Sequence, residues 1–106
     1  MFDEKLFNEK LASFMLSAQK HIEEYHAVHF PSLTTPRLGA DLGSRYIRIW
    51  LNNGTQVASW CFVDRRNGNV LKCASWKKPA PQPRGNIFSD KNGMEALGPG
   101  AAIRYL

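Results

Sequence analysis

Apolar positions recur along the first quarter of the chain with the period of a helix. Phe7, Leu11, Phe14, Ala18, Ile22 and Tyr25 are separated by three or four residues, which puts them on one side of an amphipathic α-helix over residues 3–26. Asp3 is a suitable N-cap, and Phe2 and Phe7 stand at the N′ and N4 positions of a hydrophobic staple. Pro31 sets the latest end, because it disfavours helical geometry in the residue before it. From residue 45 the period becomes two. The run RYIRIWLNNGTQVASWCFVDRRNGNVLKCASW, residues 45–76, is rich in β-branched and aromatic residues and holds two turn signals. Asn53-Gly54 predicts a two-residue type I′ hairpin that pairs Trp50 with Val57, Ile49 with Ala58, Arg48 with Ser59, Ile47 with Trp60 and Tyr46 with Cys61. Asp64-Arg65-Arg66-Asn67-Gly68 predicts a type I turn closed by a left-handed Gly68, pairing Val63 with Val70, Phe62 with Leu71 and Cys61 with Lys72.

Alternation along these strands assigns each side chain to a face. One face collects Ile47, Ile49, Leu51, Ala58, Trp60, Phe62, Leu71 and Cys73, and reads as a core. The other collects Tyr46, Arg48, Trp50, Ser59, Cys61, Val63, Lys72, Ala74 and Trp76, a mixture of aromatics and cations. The helix stripe needs an apolar partner, and the first face is the only large one. The expected fold is therefore α+β: an N-terminal amphipathic helix packed on one face of a three- to four-stranded antiparallel β-meander, in a single domain over residues 1–106.

The remaining segments read as connections. Residues 31–44 hold two prolines and two glycines, long for a loop. Residues 77–106 form a Pro/Gly-rich C-terminal segment, in which Lys77-Lys78-Pro79-Ala80-Pro81-Gln82-Pro83-Arg84-Gly85 should run extended, near polyproline II geometry, and not as a ladder strand. A short run of this kind serves either as a stiff connector or as a proline-rich ligand for an aromatic groove. Asn92-Gly93 and Gly98-Pro99-Gly100 are turns, and 102–106 alternates weakly, as a short edge strand would.

Composition adds a sign to the second face. Fourteen Lys and Arg against nine Asp and Glu give a net charge of +5, which inclines the chain toward polyanions, although solubilising charge looks the same. Two cysteines are too few for a disulfide framework, and the register puts Cys61 and Cys73 on opposite faces, which favours a reducing compartment. The acidic start MFDEKLFNEK is unlike a signal peptide, and no apolar run reaches the roughly 18 residues of a membrane span, so a cytoplasmic protein without membrane partners is expected.

Proteins that hold single strands stack bases on flat aromatic side chains and meet phosphates with cations. Tyr46, Arg48, Trp50, Lys72 and Trp76, supported by Lys77, Lys78 and Arg84, supply that combination, with Arg65 and Arg66 at the strand ends. The first reading is accordingly a small basic binding protein that engages nucleic acid, single-stranded because base stacking requires exposed bases. Two plainer readings stand beside it. The proline-rich segment or the C-terminus could fold over Trp50 and Trp76 and make a second small core, or the face could be an interface with another copy or another protein, where Trp, Tyr and Arg are also enriched.

Catalytic and cofactor signals are thin. His26 and His29 share a helix face, but no third ligand is adjacent, and a role at the helix C-terminus accounts for them. Gly39-Ala40-Asp41-Leu42-Gly43-Ser44 lacks the lysine of a phosphate loop, and Asp41, Asp64 and Asp90 are expected in turns for backbone reasons. No enzymatic activity, metal or cofactor is expected.

The segment 62–88, FVDRRNGNVLKCASWKKPAPQPRGNIF, resembles small uncharacterised proteins of tailed bacteriophages. Those share a hairpin of the type aromatic-x-Asp-x-x-x-Gly-x-Val followed by Ala-Ser-Trp-Lys-x-Pro-Ala and Arg-Gly-Asn-Ile-Phe. The resemblance implies a phage-encoded protein made in a bacterial host, with three candidate roles: nucleic-acid handling, a factor that binds and modulates a host protein, or a minor structural component. It transfers no activity to any residue.

Overall fold

The computed structural model describes residues 3–98 and 101–103. It has one helix, α1 (Glu4–His29), and five strands, β1 (Arg37–Leu42), β2 (Tyr46–Asn52), β3 (Val57–Asp64), β4 (Asn69–Cys73) and β5 (Pro79–Asn86), followed by a 3-10 turn at Met94–Ala96. The strands form one antiparallel sheet in sequence order, β1-β2-β3-β4-β5, and the fold is α+β.

Helix α1 starts where expected. The Asp3 side chain accepts from the Leu6 amide and its carbonyl from the Phe7 amide. Phe2, the other half of the expected staple, lies outside the described residues. The helix continues one turn further than expected, to His29, and stops at Phe30, whose N–H still reaches the His26 carbonyl, immediately before Pro31. Phe7, Leu11, Phe14, Ala18 and Ile22 are buried, and Tyr25 is half-buried.

The sheet has two strands more than the central meander of three. Arg37–Leu42, expected within a connection, is β1; it pairs with β2 from Arg37↔Asn52 to Leu42↔Ile47 and turns Leu38 and Ala40 to the core. Pro79–Asn86, expected to stay out of the ladder, is β5. Prolines at alternate positions remove donors from one side of a strand, which an edge strand can spare, and the pairing with β4 is correspondingly irregular. At the C-terminus the structure has an isolated bridge between Leu97 and Ile103; residues 104–106 of the expected edge strand lie outside the described residues.

The β3/β4 register is the expected one, with Cys61↔Lys72, Phe62↔Leu71 and Val63↔Val70. The β2/β3 register is not. Asn52 pairs with Val57, so the loop has four residues and not two. The Asn53 side chain accepts from the amides of Thr55 and Gln56 and from the Thr55 hydroxyl, holding a wider turn that overrides the I′ preference. A bulge then shifts the pairing from Trp50↔Ser59 to Ile49↔Cys61, leaving Trp60 as the extra residue.

These shifts change the core. Ile47, Ile49, Trp60, Cys61, Val63 and Val70 face α1, whereas Phe62 and Leu71, expected with them, lie on the opposite face outside that cluster. Cys61 and Cys73 still point to opposite sides and are free thiols, and burial pushes the Cys61 thiol well above its usual range. The C-terminal residues complete the core on the helix side. Ile87, Ala96 and Ile103 are buried there, Trp60 Nε1 donates to the Ala101 carbonyl, and Gly93, at φ 82°, sits against the Phe14 ring where a Cβ would fall 2.6 Å from it.

Candidate functional site

With the C-terminal segment on the helix side, the other sheet face has no second layer among the described residues. Three side chains of β2 occupy it, each held differently. Trp50 lies over Gly39 on β1, so closely that a Cβ there would fall 2.1 Å from its ring, and its Nε1 donates to Asp41 at 3.3 Å. Arg48 pairs with Asp41 at 2.8 Å, an interaction that holds the Asp41 carboxyl below its usual range together with the Trp50 bond. Tyr46 packs edge-on against Phe62 and carries the Arg45 guanidinium over its ring at 4.9 Å.

The loop 74–78 folds back over this face. Its ends are tied by the Ala74 and Ser75 amides, both donating to the Lys78 carbonyl. Arg48 stacks on the Trp76 ring at 4.3 Å and donates to the Trp76 carbonyl at 3.4 Å. Phe62 and Leu71 are 4% and 6% exposed on this face, whereas Trp76, which a covering by the proline-rich segment or the C-terminus would have buried, remains 40% exposed.

Two adjoining grooves result, sharing Arg45, Tyr46 and Lys77. The first, about 320 Å³, is bounded by Asp41 and Arg48 with Phe62. The second, about 550 Å³, runs along β5 between Arg66 and Lys78, against Leu71 and the prolines 79, 81 and 83. Its one acid, Asp64, is buried; burial pushes its carboxyl up, and hydrogen bonds from the Arg66 backbone and guanidinium outweigh this and hold it below the usual range. Lys77 and Lys78 are exposed and, like Arg45, make no ion pair among the described residues.

Of the residues singled out from sequence, Tyr46, Arg48, Trp50, Trp76, Lys77 and Lys78 come together here. Lys72 does not: it lies on the helix side with Cys61 and reaches the Ile103 carbonyl at 3.4 Å. Arg84 turns back on its own strand and donates to the Gln82 carbonyl. Arg65 is drawn away to the Gly43 carbonyl and Glu4. Asp41, Arg45 and Gly39 were not anticipated. The alternation Leu38, Ala40, Leu42 was the available signal for the strand that positions Gly39 and Asp41, obscured by a preceding proline and two glycines.

Nothing in these grooves assembles a nucleophile with a base, and no group of three or more His, Cys, Asp or Glu that could hold a metal occurs among the described residues. His21 bonds the Ser17 carbonyl, and His26 and His29 stack with Tyr25 and Phe30. No helix among the described residues is long and apolar enough to cross a membrane.

A family profile matches residues 6–100, nearly the whole helix and all five strands. The chain belongs to DUF7717, a family of unknown function. No curated protein and no solved structure matches it.

Proposed function

We propose that the uncovered sheet face binds single-stranded nucleic acid. The observation that carries the reading is the juxtaposition of a solvent-facing Trp76 with two adjoining grooves bordered by Arg45, Lys77 and Lys78, in a chain of net charge +5. Trp76 and Tyr46 offer ring surface for bases, and the three cations offer charge for phosphates. Arg48 has a different part: paired with Asp41 and stacked on Trp76, it positions the loop that presents them. Trp50, committed to Gly39 and Asp41, braces the same arrangement. A cytoplasmic setting belongs to this proposal, since it supplies both the ligand and a compartment suited to the free thiols of Cys61 and Cys73.

Phosphate contacts release counterions, so affinity for an unstructured oligothymidylate should fall steeply with salt. Replacing both Lys77 and Lys78 by Gln should flatten the log–log slope by about 1.4, at about 0.7 per contact on a single strand. A face that instead engages a protein would give no oligonucleotide binding at low salt, or binding with a slope the double variant leaves unchanged, and either result would sink the proposal.

A further inference from the structure

The two grooves share Tyr46 and Lys77 but differ in the acid each contains. In the first, Asp41 has a side chain 52% exposed, and its pairing with Arg48 and Trp50 keeps it ionised. An incoming phosphate there meets an exposed carboxylate. In the second, the Asp64 side chain is 5% exposed and covered by Arg66, so it is withdrawn from the groove. Around it stand Arg45 from the β1–β2 connection, Arg66 from the β3–β4 turn, and Lys77 and Lys78 from the β4–β5 connection. Cations brought by three separate connections to one concavity make a local field suited to a concentrated negative charge.

Asn67 and Asn69 also line that groove, and the remainder of its wall is apolar. Leu71, Tyr46 and the prolines of β5 line it, and a proline ring presents flat hydrocarbon without an amide donor. At about 550 Å³ it is the size of a small-ligand pocket, and it is bounded on one side by the β3–β4 turn. A nucleotide placed there sets its base and sugar on the apolar wall and its phosphate among the cations. An internal phosphodiester carries one charge; a terminal monoester carries about 1.5 to 2 near neutral pH, with one more oxygen to accept hydrogen bonds.

We infer that the groove between Arg66, Lys78 and the β5 prolines is a subsite for a strand end bearing a phosphate monoester, from which the chain leaves over Tyr46 toward Trp76. This rests on the proposed binding of single strands, and adds a direction to it. The monoester can stand at the 5′ or the 3′ end, and the two sources share the chemistry the groove recognises.

The test compares three oligothymidylates of equal length, one with a 5′-phosphate, one with a 3′-phosphate and one with hydroxyls at both ends, by fluorescence anisotropy at constant low salt with the label on an internal base. One phosphorylated strand should bind about tenfold more tightly than the dihydroxyl strand, since charge-assisted hydrogen bonds are the stronger class. The phosphorylated end that gains identifies the polarity. In the Lys78→Gln variant that preference should shrink to about twofold, on top of the weaker binding that loss of this cation imposes on all three strands. Equal affinity for all three strands overturns the end subsite and leaves strand binding standing. Failure of all three to bind overturns both.

Discussion

Gly39 and Trp50 show how one residue without a side chain shapes a surface. The indole of Trp50 lies on the strand backbone where a Cβ would stand 2.1 Å from Cη2, so any other residue at 39 must push the ring away. Asp41 would then lose its 3.3 Å bond from Trp50, and it is the same carboxylate that holds Arg48. Gly39→Ala should therefore destabilise the protein by about 1–3 kcal/mol, the usual range for overpacking, as measured by urea unfolding. The pair should be non-additive: with Trp50→Ala already present, the cost of Gly39→Ala should largely vanish. Additive costs in that double-mutant cycle would mean that the ring does not rest on Gly39.

Trp60 makes the converse point. Its inward direction was legible from alternation, but through a register that the structure does not have. It reaches the core because the bulge beside Trp50↔Ser59 inserts it as an extra residue, which also turns Cys61 and Val63 inward and Phe62 outward. Alternation cannot see a bulge, and both aromatic neighbours fit either face.

Among the elements, α1 and the β3–β4 hairpin were readable because local chemistry decided them: the Asp3 cap and apolar stripe in one, the Gly68 turn at φ 82° in the other. The two edge strands were hidden because tertiary pairing decides them. Strand β5 is proline-rich, and β1 follows Pro36 and contains Gly39, features that argue against a strand in isolation.

The β1 edge also receives a cap from the helix. The Gln19 side-chain amide donates to the Pro36 carbonyl at 2.9 Å and accepts from the Leu38 amide at 2.8 Å, imitating the next strand for one residue pair. With prolines on the opposite edge, both sides of the sheet are thereby made poor templates for further pairing. Gln19→Ala should lower stability by about 1–2 kcal/mol in urea unfolding, since it strips two backbone groups of their partner, and Gln19→Glu should fall between. An Ala variant as stable as the parent would show that water replaces the cap without loss.

At the scale of the whole molecule, the C-terminal third decides what the sheet can do. Ile87, Ala96 and Ile103 close the core beside α1, and Asn92 Nδ2 ties that segment to the Lys10 carbonyl at 3.1 Å. Had the same residues crossed the other side, Tyr46, Arg48 and Trp50 would be interior. Which side they take was not legible, because Gly and Pro mark where a chain turns but not toward which layer. The presence of an aromatic and cationic face was readable; its division into two grooves by the loop carrying Trp76 and Lys77 was not, since that follows from the 4.3 Å stacking of Arg48 on Trp76. The proposed binding of single strands by this face turns on Trp76, which is 40% exposed and lies outside the helix-side core cluster. The measurement is the affinity of Trp76→Ala for an oligothymidylate at low salt, beside its melting temperature. Binding should weaken by about tenfold, within the roughly 1–3 kcal/mol that stacking on one base contributes, with melting close to the parent's. A variant that binds as tightly as the parent, or a parent that does not bind, would contradict it.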